Sequence, residues 1–389
     1  MSEGALRVLH IVPTLTGGGA EAFLRALLPS FDQTAVEAGV MTVYPTDVPM
    51  DPEVLRRIQV VKIERGGRYD PLFFGRMVAG IRDFRPDIVH AHLHNGKYWG
   101  RLAAMIARVP IILFTEHNPC GEIRGLPEIA VDLAVNKMTA GIVTFAQTQR
   151  EHLARIEGLP AKKVVVIENG IALPPLPTPE LRAKARSRLG ARSDELAVLV
   201  VARLIKRKNQ QLAIEAARLL QRDVRDRIRI YIIGSGEDEA MLHALARSKD
   251  VGDRVVFTGN RDDVADLLYG GDLFYMPSLA EGMPLAVLEA MSAGLHIVST
   301  PWTGVEELLD HGTLGTILPD WEPQTTARLF ERASTSLEPF HAVATHARDV
   351  VRERHNIERI ARLHERLYAD LADLRGLKRT RAGGAAAPC

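Results

Sequence analysis

Apolar runs of strand length alternate along the chain with stretches of helical spacing. LRVLHIV (6–12), DIVHAHL (87–93) and IILFTEH (111–117) are near-continuous apolar runs, the mark of strands buried on both faces of a parallel sheet. The rhythm breaks at NGIALPPLPTPE (169–180), where Pro174, Pro175, Pro177 and Pro179 forbid regular structure and stiffen the chain. It restarts with LAVLVVAR, IRIYIIGSG, RVVFTG, LFYMPS and HIVST, each followed by a helix-compatible segment. Two successive doubly wound, Rossmann-like α/β sheets facing a cleft are therefore expected. Near the end, Ile357, Ile360, Leu363, Leu367, Leu371 and Leu374 form a helical stripe that must pack on one of the domains. The expected organisation is a first domain at 1–170, a proline-rich linker at 171–180, a second domain at 181–350 and a helix at 351–376. The stretch LKRTRAGGAAAPC is basic and then Ala/Gly-rich, so residues 377–389 are expected to be a disordered tail.

Composition narrows the function classes. A chain of 389 residues suits two domains of ordinary size, and its formal charge of +1 provides no global field to recruit nucleic acid. Cys120 and Cys389 are the only cysteines, which leaves no disulfide framework and no four-cysteine zinc site. Residues 1–12 hold a strand-like run rather than a signal peptide, and no apolar run approaches the roughly 20 residues that cross a bilayer. A cytoplasmic protein is the expectation.

Ligands of doubly wound sheets bind at the carboxyl ends of strands, so polar groups just after strand-like runs carry the most weight. PTLTGGGAEAF (13–23) runs a strand into Gly17, Gly18 and Gly19 and then into a helix, where a backbone can approach an anion. Gly17, Gly19 and Ala22 also satisfy the G-x-G-x-x-A dinucleotide pattern, although a tight structural turn has the same letters. The acid expected for a ribose contact is not clearly placed, since Glu37 falls before the second strand. His90, His92 and His94 alternate in HAHLH and would share one face of a strand, a known metal-ligand arrangement. A metal hydrolase would need further ligands at later strand ends, where Arg203, Gly234 and Ser278 stand instead. A partly buried polar cluster is the better reading. His117 follows an apolar strand directly and could hydrogen-bond a polar substrate or exchange a proton.

In VARLIKRKNQ (201–210), Arg203 follows a strand and Lys208 lies five residues on, as a helix begins. A forked guanidinium and a point charge at such a corner suit a diphosphate. PSLAEGMPLAVLEAM is the most specific stretch. Glu281 precedes a helix with Pro284 near its first turn, Glu289 follows about one and a half turns later, and the amides of Gly282, Met283 and Leu285 stand between them. Carboxylates beside a phosphate make sense when the ligand is rich in hydroxyls, as a sugar and a ribose are.

Together with GGGAE, DIVHAH, TEH, ENGI, IIGSGED and VVFTG, these motifs resemble the family 4 glycosyltransferases, retaining enzymes of the GT-B architecture, over most of the chain. The resemblance implies a nucleotide-sugar-binding C-terminal domain, an acceptor-side N-terminal domain and a last helix that returns to the latter. It implies Arg203 and Lys208 on the diphosphate, Glu281 with Gly282, Met283 and Leu285 on the donor sugar, and Glu289 on the ribose. Gly17, Gly18 and Gly19 would close over the phosphates, His117 would contact the sugar near the reacting carbon, and Gly234 with Arg261 would shape the base pocket. The implied reaction moves a hexose from a UDP or GDP sugar to a hydroxyl in polysaccharide, lipopolysaccharide or glycolipid synthesis. No metal or other cofactor is expected, and no Asp-x-Asp pair is present. Alternatives are an NAD(P)-dependent oxidoreductase and a non-catalytic sugar-nucleotide-binding relative. Acceptors of the family are often lipid-linked, so Arg68, Tyr69, Phe73, Phe74, Arg76, Lys97, Tyr98 and Trp99 could rest on the inner membrane face or form an ordinary surface.

Overall fold

A computed structural model of the chain describes residues 4–44, 52–63, 70–117, 126–156, 160–222 and 224–377. They divide into two compact units, Met1–Ala172 with Ile357–Cys389, and Leu173–Asn356. The expected tail lies outside the described residues from 378 onward.

The first unit is a seven-stranded parallel sheet of β1 (Leu6–Val12), β2 (Val36–Thr42), β3 (Gln59–Lys62), β4 (Ile88–His92), β5 (Ile111–Thr115), β6 (Gly141–Thr144) and β7 (Val164–Val166). The strand order is β3-β2-β1-β4-β5-β6-β7, which reverses between β1 and β4. Alternation along the strands sends Leu9, Ile11 and Val89 into a core with Met77, Ile81 and Phe84 of the helix Phe73–Phe84. His10, His90 and His92 face the other way, toward the helix Ile357–Leu374. Glu37 lies inside β2, where its exposed side chain pairs with Arg7.

The last helix does not bury the leucine stripe that its sequence suggests. Its buried residues are Ile357, Ile360, Ala361, His364, Tyr368 and Ala372, whereas Leu363, Leu367 and Leu371 are half-buried and Leu374 is 82% exposed. The helix is rotated because the sheet face beneath it is polar. The Tyr368 hydroxyl meets His90 Nδ1 at 2.7 Å, and His364 Nδ1 meets the Ile360 carbonyl at 3.0 Å. A leucine on that face would leave His90 Nδ1 unpaired, at a cost of about 1–3 kcal/mol that offsets the gain from apolar burial.

The second unit is a six-stranded parallel sheet of β8 (Leu196–Val201), β9 (Ile228–Ile233), β10 (Val255–Gly259), β11 (Leu273–Met276), β12 (His296–Ser299) and β13 (Thr316–Ile317). Its order, β10-β9-β8-β11-β12-β13, reverses between β8 and β11. Pro179 does not extend the irregular segment. It opens the helix Pro179–Leu189, capped by the Thr178 hydroxyl, because proline fits the first helical position without losing a bond. Charge holds this weakly amphipathic helix. Arg182 and Arg186 donate to the Asp272 carboxylate at 2.6 and 3.3 Å, and the same buried carboxylate accepts from the Ala197 amide at 2.7 Å.

Tyr368→Phe should therefore destabilise the protein by about 1–3 kcal/mol, since it strands a buried imidazole nitrogen while barely changing volume. A melting temperature unchanged from the wild type would show that the hydroxyl adds nothing.

Candidate functional site

In the second unit, two connections leave neighbouring strands at the point where the strand order reverses. The segment after β8 carries Arg203–Gln210, and the segment after β11 carries Pro277–Pro284. They are laced together. The Leu279 amide donates to the Arg207 carbonyl at 2.9 Å, Arg207 Nη1 to the Ala280 carbonyl at 3.0 Å, and Asn209 Nδ2 to the Pro277 carbonyl at 3.1 Å. Asn209 takes the left-handed conformation, φ 52°, that ends the turn Lys206–Lys208 before the helix Gln211–Leu219. Arg207 and Asn209 were not singled out in the sequence. Asn209 had a readable signal, being a residue type that tolerates this conformation just ahead of a helix.

Lys208 Nζ lies 2.6 Å from Glu281 Oε1, and Arg207 Nη1 lies 3.7 Å from Glu281 Oε2. Glu281 is only 5% exposed, so its carboxylate relies on this pairing. Arg203 is exposed, and its guanidinium makes no pair among the described residues. Pro284 stands at the N-cap of the helix Leu285–Ser292, next to its first turn. Glu289 is the fifth residue of that helix. Its half-buried carboxyl has no partner among the described residues, and burial alone pushes it above the usual carboxylate range. Gly234 follows β9 at φ +138°, and a Cβ there would stand 2.1 Å from the Ala202 carbonyl oxygen. No other residue fits this approach of β9 to the β8 connection. Arg261 forks onto Asp263, both contacts 2.8 Å, which holds the Asp263 carboxyl below its ordinary range. The corner thus offers a free guanidinium, an ammonium, two acids and a helix start, a donor set for a phosphorylated polyol.

In the first unit, Gly17 is left-handed at φ +112° and exposed, and Gly18 caps the helix Gly19–Leu27. His117 is half-buried after β5, its Nε2 3.1 Å from His92 Nδ1 and its ring 5.3 Å from Phe145. His92 Nε2 lies 3.0 Å from His10 Nδ1. His90 has partners on both nitrogens, Tyr368 and Thr115, each at 2.7 Å. His94 does not share this face. The strand ends at His92, Leu93 turns left-handed at φ 57°, and His94 meets Tyr98 edge-on, ring centroids 4.9 Å apart, instead. His10, unremarked within LRVLHIV, takes its place. His10, His90 and His92 present nitrogens within 4.8 Å of one another, a spacing that could hold a metal ion, although both nitrogens of His90 and of His92 already have partners. The cluster is fully buried rather than partly so.

The lipid-facing reading loses one of its charges. Lys97 is 4% exposed and pairs with Glu116 at 3.2 Å and Asp132 at 2.8 Å. Arg76 pairs with Asp70, while Trp99 is half exposed with its edge on Phe74. Arg68 and Tyr69 lie outside the described residues, as do Asn118 and Pro119 beside His117. No helix among the described residues is long and apolar enough to cross a membrane.

Two units on parallel sheets, the second with a cation-and-acid corner at its reversal point, are the marks of the GT-B class. The crystal structure of Anabaena HepE in complex with UDP and glucose superimposes with a TM-score of 0.81 at 20% identity, covering 94% of this chain and 100% of that one. Residues 17–173 match the description Glycosyltransferase Family 4, and residues 182–349 match glycosyl transferases group 1. EpsF of Bacillus subtilis, a glycosyltransferase by name, is 27% identical over 334 residues, 80% of this chain and 83% of its own length. The UDP-Gal:alpha-D-GlcNAc-diphosphoundecaprenol alpha-1,3-galactosyltransferase of Escherichia coli is 29% identical over 220 residues, 54% of this chain and 56% of its own. The chain belongs to the family 4 glycosyltransferases. That membership displaces the oxidoreductase alternative.

Burial keeps the histidines neutral. It pulls His10 down to about 3, His117, His296 and His364 to about 4, and His90 and His92 well below their ordinary value. The unfolded chain, with histidines near 6.5, binds protons that the folded chain refuses. Their stabilising effect is complete above that pH and is lost as pH falls through 6.5 toward the folded values. His10 alone should cost about 2 kcal/mol at pH 5. Melting temperatures at pH 7.5 and 5.0 check this, with a marked drop expected at 5.0; equal values would mean that the cluster is open to water.

Proposed function

We propose that the protein moves a hexose-type sugar from a nucleoside-diphosphate sugar, UDP or GDP as the nucleotide, to a hydroxyl acceptor. In this reading the anomeric configuration is retained and no metal takes part. The observation that carries it is the Lys208–Glu281 contact at the reversal point of the second sheet, beside the unpaired Arg203. In the free protein the ammonium and the carboxylate neutralise each other. A diphosphate drawn to Arg203 takes over Lys208, and the released Glu281 accepts hydrogen bonds from the hydroxyls of the sugar, with Gly282, Met283 and Leu285 alongside. Glu289, without a partner among the described residues and pushed by burial above the usual carboxylate range, suits the ribose diol. Gly234 lets the backbone approach the base closely, and Arg261, fixed by Asp263, offers a planar face to it. The family resemblance assigns substrate contacts also to Gly17, Gly18, Gly19 and His117, and the acceptor is a glycan or lipid-linked glycan.

Breaking the sugar–phosphate bond leaves negative charge on the diphosphate and positive charge on the sugar ring. A unit-charge pair at 4 Å is worth about 4 kcal/mol at an effective dielectric near 20, so the two cations together can stabilise that charge without a metal. Retention follows when the acceptor hydroxyl attacks the face from which the diphosphate leaves, giving its proton to a phosphate oxygen. The name of the Escherichia coli relative, with its UDP-sugar donor and diphosphoundecaprenol acceptor, supports this substrate class, as does the UDP and glucose bound in HepE.

Incubation with a panel of UDP-, GDP- and ADP-sugars, read by mass spectrometry, tests the reaction. Lys208→Ala and Glu281→Ala should each lower transfer at least a hundredfold while circular dichroism shows an intact fold, and undiminished transfer in both would count against the site. Excess EDTA should leave the rate within about twofold; abolition by EDTA with recovery on a divalent cation would overturn the metal-free reading.

A further inference from the structure

His117, His92 and His10 form a continuous chain of imidazoles across β5, β4 and β1, joined at 3.1 and 3.0 Å. The register permits it, because His10 stands opposite His90 and His92 opposite Thr115 on strands that pair in parallel. At the buried end, His10 Nε2 has no hydrogen-bond partner among the described residues. At the other end, no partner holds His117 Nδ1 among the described residues. A neutral imidazole has one N–H and one lone pair, so each bond in the chain fixes the next ring. An orphaned buried N–H is rarer than an orphaned acceptor. His10 therefore keeps its proton on Nδ1 and donates to His92 Nε2. His92 must then carry its proton on Nδ1 and donate to His117 Nε2. His117 is left with its proton on Nδ1, the nitrogen that remains for a ligand.

We infer that His10 and His92 are positioning residues that lock His117 in the Nδ1–H tautomer, making it a fixed neutral hydrogen-bond donor to an oxygen of the sugar substrate and not a proton acceptor. The sugar part of this inference rests on the function proposed above. The tautomer part does not. Desolvation agrees with it, since every ring in the chain is kept from protonating near neutral pH. The choice of residues agrees too. His10 is wholly buried, and its one ring hydrogen bond among the described residues is to His92.

Long-range nitrogen–proton NMR of 15N-histidine-labelled full-length protein at pH 7.5, with His117 assigned from a His117→Gln variant, reads the tautomer directly. Wild type should show His117 protonated on Nδ1 alone. His10→Phe, which keeps the bulk and removes the donor, should bring in the Nε2–H form. It should also lower kcat about tenfold, the size of one hydrogen bond, with KM for the nucleotide sugar within twofold. His10→Asn, whose amide can stand in for Nδ1, should restore both. Wild-type His117 protonated on Nε2, or a tautomer unmoved by His10→Phe, would overturn the inference, as would a stoichiometric metal ion found on His92 by elemental analysis. The tautomer shift without turnover on any sugar nucleotide would sustain the lock and sink the proposed function.

Discussion

The contact between Lys208 and Glu281 is the constraint on which the site depends. It ties the segment after β8 to the segment after β11, the two connections that leave the second sheet from its point of reversal. A carboxylate 5% exposed cannot stand there alone, and removing one partner of a buried pair usually costs several kcal/mol. The backbone bonds from Leu279, Arg207 and Asn209 surround the pair and place it with little freedom. In the proposed reading, a site tied down in this way lets substrate binding exchange the partners of the pair instead of ordering loops.

The first unit solves a different problem. Its sheet face toward the last helix is lined with histidines, most of whose ring nitrogens meet a tyrosine, a threonine or one another. That choice excludes leucine from the face of the helix and keeps the imidazoles neutral. A half-apolar, half-polar layer of this kind is less forgiving than an oily one, because each member depends on the orientation of the next.

Most of the fold was legible. Buried parallel strands are near-continuous apolar runs, and β1, β4, β5 and β8 to β12 stood out for that reason. β13 has two residues and could not be seen. The leucines of the last helix misled because periodicity reports apolarity, whereas the partner surface decides which face is buried. Lys97 read as a surface charge, since nothing local showed that Glu116 and Asp132 would meet it. At the corner where the second sheet reverses, Arg203, Lys208, Glu281 and Glu289 drew attention because strand ends and helix starts are local features. His10 was not, since one histidine in LRVLHIV acquires meaning only when β4 lies beside it.

A crystal structure of the full chain with an unreactive nucleoside-diphosphate sugar bears most directly on the central claim. The expected result is a diphosphate oxygen within hydrogen-bond distance of Lys208 Nζ and of Arg203, with Glu281 turned from the lysine to a sugar hydroxyl. A diphosphate bound elsewhere, with Lys208 and Glu281 still 2.6 Å apart, would contradict it.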